Sequence, residues 1–129
     1  TVRDLNEDTD YSVHVCAVNS TGSRCAATTV STHTGIAAPS NLGYTQVEIL
    51  PGAFNVTLTW SDNSSIETGY QVEISTNRTF TTSQPVLTEA NVTSHTFNFL
   101  VLSGYYFRVK TIAATGESDY SPVYTVTLP

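Results

Sequence analysis

The sequence predicts an all-β protein, a sandwich of short antiparallel strands. Ser, Thr, β-branched and aromatic residues are abundant, and no stretch places apolar residues at helical spacing. Short runs instead alternate apolar and polar residues with a period of two, and Gly, Pro and Asn turn signals separate them. About seven such runs follow residue 39, a number typical of a two-layer β-sandwich.

An internal repeat divides the chain into two parts of unequal size. The stretch that begins at Tyr105 aligns without a gap with the stretch that begins at Tyr11, and each reads as a strand, a polar turn with Gly and a returning strand. The offset is close to the length of a whole sandwich domain, so the chain cannot hold two complete copies. We expect residues 1–35 to be the C-terminal strands of a partial domain, 36–38 a linker and 39–129 a complete domain.

The first segment is predicted to form one hairpin. Apolar residues alternate with polar ones over residues 11–17, which predicts a half-buried strand, and residues 28–34 are the expected returning strand. Asn19-Ser20-Thr21-Gly22 supplies the turn. Two strands are marginally stable alone, so we expect strands of the preceding chain or of a neighbouring subunit to complete this segment.

The second segment gives strand signals in series. They are Leu42 and Tyr44; Val56, Leu58 and Trp60; Tyr70, Val72 and Ile74; Val86-Leu87; Phe97 and Phe99; Tyr105, Phe107 and Val109; and residues 123–128. The apolar anchors expected to fill one core are Trp60, Tyr70, Phe99, Tyr105 and Phe107.

Several of these stretches resemble fibronectin type III domains across essentially the whole chain. They are Pro39-Ser40-Asn41-Leu42, Trp60, Tyr70-Gln71-Val72-Glu73-Ile74, Tyr105-x-Phe107-x-Val109, and Gly116-Glu117-Ser118 before Ser121-Pro122-Val123. Leu5 precedes Tyr11 by the spacing of the family's tyrosine corner, whereas Phe99 takes the equivalent place before Tyr105. The resemblance implies a seven-stranded Greek-key sandwich of immunoglobulin-like type in tandem, a spacer or binding scaffold, and no catalysis.

The strongest chemical signal is N-linked glycosylation. The acceptor pattern Asn-x-Ser/Thr occurs at Asn19, Asn55, Asn63, Asn77 and Asn91. These are more matches than the Ser and Thr content gives by chance, although unmodified chance matches are the alternative. N-linked glycans are therefore expected, and no other cofactor.

Two cysteines lie symmetrically about the predicted turn of the first segment. If Asn19 and Gly22 flank that turn, Cys16 and Cys25 are directly opposed and close enough for a hairpin disulfide. A free pair and inter-chain links are the alternatives. A disulfide together with glycosylation signals indicates an oxidising, extracellular compartment, either secreted or at the cell surface.

Signals for catalysis or metal binding are poor. His14, His33 and His95 have no ligand spacing, and we interpret them as ordinary strand or loop residues. Asp62 and Glu67 share one loop, but the spacing of a known Ca²⁺ loop is missing, which favours solvated carboxylates. No nucleophile elbow, metalloprotease motif or phosphate-binding loop is present, so no enzyme activity is expected.

The net charge and one strand face bound the possible partners. A charge of −6 with five Lys and Arg residues argues against nucleic-acid binding, and no apolar run is long enough to span a bilayer. Tyr106, Arg108 and Lys110 share one outward face. This face is either a contact patch for a protein or a glycan, or, as we favour, a normal solvated strand face.

Three functions fit these observations. The first is a structural building block of an extracellular fibre, stalk or coat, whose partners are neighbouring domains of the same or an identical chain. The second is an adhesion or receptor ectodomain that binds a protein or glycan ligand, which an exposed unglycosylated apolar patch favours. The third is a non-catalytic spacer in a secreted enzyme.

Overall fold

The computed structural model describes residues 2–129, and the secondary structure of these residues is entirely β. The chain divides into two compact units, one ending at Gly35 and the other beginning at Ile36. Residues 36–38, which we expected to be a linker, are part of the second unit. There the hydroxyl of Thr111 donates a hydrogen bond to the carbonyl oxygen of Ala37 at 2.7 Å.

Four short strands make up the first unit. They are β1 (Asp10–Val13), β2 (Cys16–Asn19), β3 (Gly22–Cys25) and β4 (Val30–His33); β1 pairs with β4 and β2 with β3, both antiparallel. The prediction of one uninterrupted strand over 11–17 is therefore wrong. Between the two ladders, the two residues 14–15 face the four residues 26–29, so the pairing cannot continue in register.

The apolar side chains of the first unit are exposed. Val13, Val15 and Val30 have 37%, 75% and 69% of their surface accessible, where the alternating pattern predicted a half-buried strand. Burial requires a second layer against the sheet, and none of the described residues of this unit forms one. A sheet with one apolar face open to solvent is stable only if something covers it.

A tyrosine corner is formed in each unit. Tyr11 accepts a hydrogen bond at its hydroxyl from the backbone N–H of Asn6 at 2.8 Å. Tyr105 accepts from the N–H groups of Val101 and Leu102, both at 3.1 Å. The second corner forms although Phe99 replaces the expected Leu, because the bonds go to backbone groups that any residue supplies.

The second unit is a two-sheet sandwich. Its strands are β5 (Ser40–Leu50), β6 (Ala53–Ser61), β7 (Glu67–Ser75), β8 (Gln84–Leu87), β9 (Ser94–Leu100), β10 (Gly104–Ala113), β11 (Gly116–Glu117) and β12 (Tyr124–Thr127). One sheet has the order β5-β6-β9, and the other has the order β11-β10-β7-β8 with β12 also paired to β10. All pairs are antiparallel, as the sequence predicted for this fold class.

Alternating residues of the central strands fill the core between the two sheets. Fully buried side chains come from both sheets: Val56, Leu58, Tyr70, Val72, Phe107, Val109 and Val126. Trp60 meets Tyr70 edge-on with ring centroids 5.6 Å apart, and Phe97 lies 5.3 Å from Phe107. Large side chains buried in this way supply most of the stability of the unit.

Phe99 is not one of the core anchors, contrary to our expectation. Its side chain is 64% exposed. The pairing of β6 with β9 shifts register between Phe54 and Val56, so that Phe54 lies opposite Leu100 and Val56 opposite Phe97. This bulge inserts an extra residue and turns Leu100 inward in the place that the alternation assigned to Phe99.

Two serine hydroxyls take the place of backbone acceptors for β10 in the stretch between β11 and β12. The backbone N–H of Thr111 donates to Ser118 Oγ at 2.9 Å, and that of Val109 donates to Ser121 Oγ at 3.0 Å. The buried edge of β10 is thereby satisfied although the chain opposite it is not a regular strand. The same irregular stretch carries Tyr120 onto the outer face of the sheet.

Gly69 is expected to tolerate no side chain. It is buried, and a Cβ atom there would overlap the backbone carbonyl oxygen of Thr88. The Thr88 backbone is itself held in place, because its N–H donates to the carbonyl oxygen of Tyr70 at 2.9 Å. We expect Gly69→Ala to lower the free energy of unfolding by about 1–3 kcal/mol in urea titrations, because backbone must move. Gly52→Ala, with open space around it but φ of 77°, is the comparison for backbone strain alone. Equal losses in both variants would contradict the steric reason.

Candidate functional sites: modification residues and the polar sheet face

The disulfide of the first unit closes the hairpin at the predicted place. Cys16 and Cys25 are directly opposed in the β2–β3 register and are bonded to each other. This excludes the two alternatives, a free pair of cysteines and inter-chain disulfides. Asn19 opposite Gly22 ends the ladder. The structure therefore gives this hairpin a covalent constraint that the second unit lacks.

Reduction of this disulfide is expected to affect the first unit alone. Closing so short a loop stabilises a hairpin by about 2–3 kcal/mol in the chain-entropy account. We expect a reducing agent to remove hydrogen-exchange protection from β2 and β3 while β6, β7 and β10 keep theirs. An equal loss of protection in both units would contradict their independence.

One group of potential metal ligands occurs in residues 2–129. Ligand atoms of His14, Cys16 and Cys25 lie within 4.8 Å of one another, an arrangement that sequence spacing did not reveal. The two sulfurs are bonded to each other, however, and metals take thiolates. Asp62, a candidate Ca²⁺ ligand, accepts the N–H of Ser64 at 3.0 Å and so caps a turn.

His33, at the end of β4, is hydrogen-bonded to two aspartates at and before the start of β1. Its Nδ1 lies 2.8 Å from Asp10 Oδ1, and its Nε2 lies 2.9 Å from Asp8 Oδ1. Both carboxylates accept only, so both ring nitrogens must carry hydrogen for two good bonds. The hydrogen bond to Asp10, and next that to Asp8, raise the pKa of His33 above its usual value.

The stability of the β1–β4 ladder should therefore depend on pH. A raised histidine pKa contributes stability that is fully present below the unfolded value of 6.5 and lost as pH rises through the folded pKa. We expect NMR titration to give a His33 pKa above 6.5 and β1–β4 amide protection to fall as pH rises past it. In His33→Gln the pH dependence should disappear; its persistence would assign the effect to another group.

The structure divides the five sequons by what their amide nitrogens do. Asn63 Nδ2 donates to Ala38 O at 2.9 Å and to Ser40 Oγ at 2.8 Å. Asn77 Nδ2 donates to Thr81 Oγ1 at 2.8 Å and to Thr82 Oγ1 at 3.3 Å. A glycan replaces one amide hydrogen, so it would remove one of these bonds at either site.

Three sequons keep the amide nitrogen available. Among residues 2–129, no hydrogen-bond partner of Nδ2 is found for Asn19, Asn55 or Asn91. Asn19 uses its oxygen instead, accepting from the N–H and hydroxyl of Thr21 at 2.9 and 2.7 Å. Asn55 likewise uses only its oxygen. At these three sites, modification leaves every hydrogen bond of the asparagine side chain to the described residues intact.

The polar sheet face, formed by Tyr106, Arg108 and Lys110 on β10, is not a normal solvated strand face. Lys110 is buried, with 9% of its surface exposed, and the other two side chains are half-buried. The Arg108 guanidinium lies between the rings of Phe80, at 4.2 Å, and Tyr120, at 3.8 Å. Stacked cations of this kind hold the loops that carry the rings.

Carboxylates neutralise both cations of this face. Arg108 Nε is paired with Glu73, which is itself 6% exposed, and Lys110 Nζ lies 2.8 Å from Glu117. Burial lowers the pKa of Lys110, but hydrogen bonding to Glu117 and to Tyr120 outweighs it, so the net shift is upward. The face therefore serves the fold, and sequence reasoning missed Tyr120 because its position depends on an irregular stretch.

A cleft of about 290 Å³ opens between the two sheets of the second unit. Its lining includes Ile74, Phe97, Leu100 and Tyr105, together with residues that carry hydroxyl and amide groups. No carboxylate, histidine or cysteine lines it. The lining therefore supplies no acid–base or nucleophilic pair of the kind that hydrolytic enzymes use.

No protein-family model and no curated protein sequence matches the chain. Solved structures do. A two-domain fibronectin type III segment from chicken tenascin matches with a TM-score of 0.65 and 18% identity, over 98% of this chain and 69% of that one. The chain has the fibronectin type III fold. A human collagen XX domain (TM-score 0.56, 20% identity, 70% and 88% coverage) and an Fn3-like protein from Clostridium thermocellum (0.56, 22%, 73% and 94%) agree.

The fibronectin type III fold accounts for both tyrosine corners and for the strand order of the second unit. Domains of this fold are generally non-enzymatic modules, and they occur in extracellular and adhesion proteins. Within residues 2–129, no helix has the length and apolarity needed to cross a bilayer. The fold alone leaves open which role this chain has.

Proposed function

We propose that this chain is a non-enzymatic, glycosylated structural module of fibronectin type III type, a building block of an extracellular fibre, stalk or coat. In this proposal residues 1–35 are the last strands of one domain and residues 39–129 are a complete one. The disulfide and the three sequons with available amides support an oxidising, secretory or cell-surface location.

The exposed valines of the first unit carry this proposal. Val13 and Val30 lie on paired strands and Val15 lies between β1 and β2, and none of the three has a covering layer, whereas the second unit has a closed core. Covering three valines contributes roughly 1.5–3 kcal/mol for each side chain that becomes fully buried. Strands of another fibronectin type III domain, from the same or an identical chain, have the geometry to supply that layer. Repeated contacts of this kind build filaments.

Hydrogen exchange on assembled material tests the proposal. If neighbouring strands cover the first unit, amides of β1 and β4 are protected in the native assembly and lose protection when the chain is dispersed as single copies. We expect Val30 to lie on the covered face. Val30→Ser should therefore weaken assembly, whereas the matched control Val18→Ser, at another exposed valine, should leave assembly unchanged. Full protection in single copies would overturn the proposal.

An adhesion or receptor ectodomain is the second candidate. Leu50, Val101 and Leu102 are 60%, 65% and 51% exposed and lie near one end of the second unit, where Ala53 pairs with Leu50 and Phe54 with Leu100. An exposed apolar group of this kind is typical of a binding surface. Binding of a protein or glycan ligand that is lost in Leu102→Ser, with assembly unchanged, would favour this role.

A further inference from the structure

A row of three residues crosses the outer face of the β5-β6-β9 sheet. Val47 on β5 is directly opposite Asn55 on β6. Asn55 Oδ1 in turn accepts the backbone N–H of Phe99 on β9 at 3.3 Å. The sequon asparagine therefore lies between an aliphatic and an aromatic residue, one on each neighbouring strand.

Both flanking residues are exposed to the same degree. Val47 and Phe99 each have 64% of their surface accessible. The outer face of an antiparallel sheet normally carries polar side chains, as Thr57 and Thr96 do one step along the same strands, with their hydroxyls 2.8 Å apart. The apolar pair is thus a local departure from the pattern, centred on Asn55.

Phe99 occupies a backbone conformation that suits few residues. Its φ is 59°, in the left-handed region where Gly and Asn are favoured and bulky residues are rare. A residue keeps such a backbone conformation when contacts with the surrounding structure hold it there. The Asn55 oxygen holds the Phe99 N–H here, and the aromatic ring is left in solvent rather than in the core.

We propose that Asn55 carries an N-linked glycan whose first sugar ring covers Phe99 and Val47. This inference rests on the proposed function, because it requires passage through a glycosylating secretory route. A transferase forms the bond from Asn55 Nδ2 to the sugar C1; the diphosphate of the lipid-linked donor leaves, and the amide loses one proton. The amide oxygen is not consumed, so its bond to Phe99 is retained.

The chemistry of the sugar matches the apolar pair. One face of an N-acetylglucosamine ring presents C–H groups, which pack against an aromatic ring, while its hydroxyls point to water. Asn55 Nδ2 has no hydrogen-bond partner among the described residues, so a glycan there displaces none. At Asn63, by contrast, Nδ2 donates to the Ala38 carbonyl oxygen and to the Ser40 hydroxyl. The glycan at Asn55 therefore adds contacts without removing one.

A coupling experiment tests this contact. The chain is made in a eukaryotic secretory host, glycans are trimmed enzymatically to the first sugar, and the same sequence is made in a host that adds none. Glycopeptide mass spectrometry then measures occupancy at each sequon. We expect Asn55 to be occupied and the single sugar to raise the Tm of the second unit by about 4 °C.

The variant Phe99→Ser isolates the contact, because it keeps the backbone N–H that Asn55 accepts. We expect the sugar-dependent rise in Tm to vanish in Phe99→Ser and to persist in Asn91→Gln, which removes a loop sequon. An equal rise with and without Phe99, or an unmodified Asn55 beside other occupied sites, overturns the inference and leaves the proposed function standing. Carbohydrate at none of the five sequons overturns both.

Discussion

Replacing Glu73 by alanine is expected to lower the free energy of unfolding of the second unit by about 3 kcal/mol. Glu73 is 6% exposed and pairs with Arg108, whose guanidinium lies between Phe80 and Tyr120. Removing the carboxylate leaves a largely desolvated cation without its counter-charge, which costs about 3–5 kcal/mol for buried pairs. The lower value applies because the arginine side chain keeps 25% of its surface in solvent. Urea titration followed by fluorescence of the single, buried Trp60 measures the loss.

Two comparisons separate the missing charge from the missing side chain. Glu89→Ala removes an exposed carboxylate and should change stability by no more than about 0.5 kcal/mol. Glu73→Leu combined with Arg108→Met should recover most of the loss, because no unpaired charge remains. A double variant as unstable as Glu73→Ala would show that the stacked arginine itself, and not its neutralisation, holds the loops.

Phe107→Ala is expected to lower the free energy of unfolding by about 3–5 kcal/mol. Phe107 has no exposed surface, its ring lies 5.3 Å from that of Phe97, and it sits on the strand that pairs with both β7 and β12. The loss combines transfer of the aromatic ring with the cavity left behind. The same fluorescence-detected urea titration applies.

The matched control is Phe99→Ala, which removes the same side chain from a site that is 64% exposed. We expect a change within about 0.5 kcal/mol for unglycosylated protein. A loss at Phe99 comparable with that at Phe107 would contradict the assignment of Phe99 to the outer face. A loss at Phe107 below about 1 kcal/mol would contradict the core as described.

Period-two alternation predicted the strands of the second unit, because each central strand buries one face. Tyr105, Phe107 and Val109 alternate with polar residues, and all three are buried. The same reasoning failed at Phe99, since a bulge changes the side that a residue faces without leaving a mark in the local pattern. It also failed at Val15, where burial depends on a layer that the described residues do not include.

The chemical sites were predictable where they depend on spacing and unpredictable where they depend on loop conformation. Cys16 and Cys25 could be paired because a turn between Asn19 and Gly22 fixes the register. The position of Tyr120 over Lys110 could not be predicted. An irregular stretch brings the ring there, and in that stretch serine hydroxyls accept the backbone N–H groups of β10. Sequons are visible in sequence, but whether an amide nitrogen is already hydrogen-bonded requires the fold.

Electron microscopy of native, unreduced material tests the central proposal of a building block most directly. We predict long regular rods in which density from another segment covers the strands of the first unit, with an axial repeat that gives the spacing between modules. Discrete particles of one or two domains, with residues 2–34 uncovered, would contradict the proposal and leave the role of a ligand-binding ectodomain.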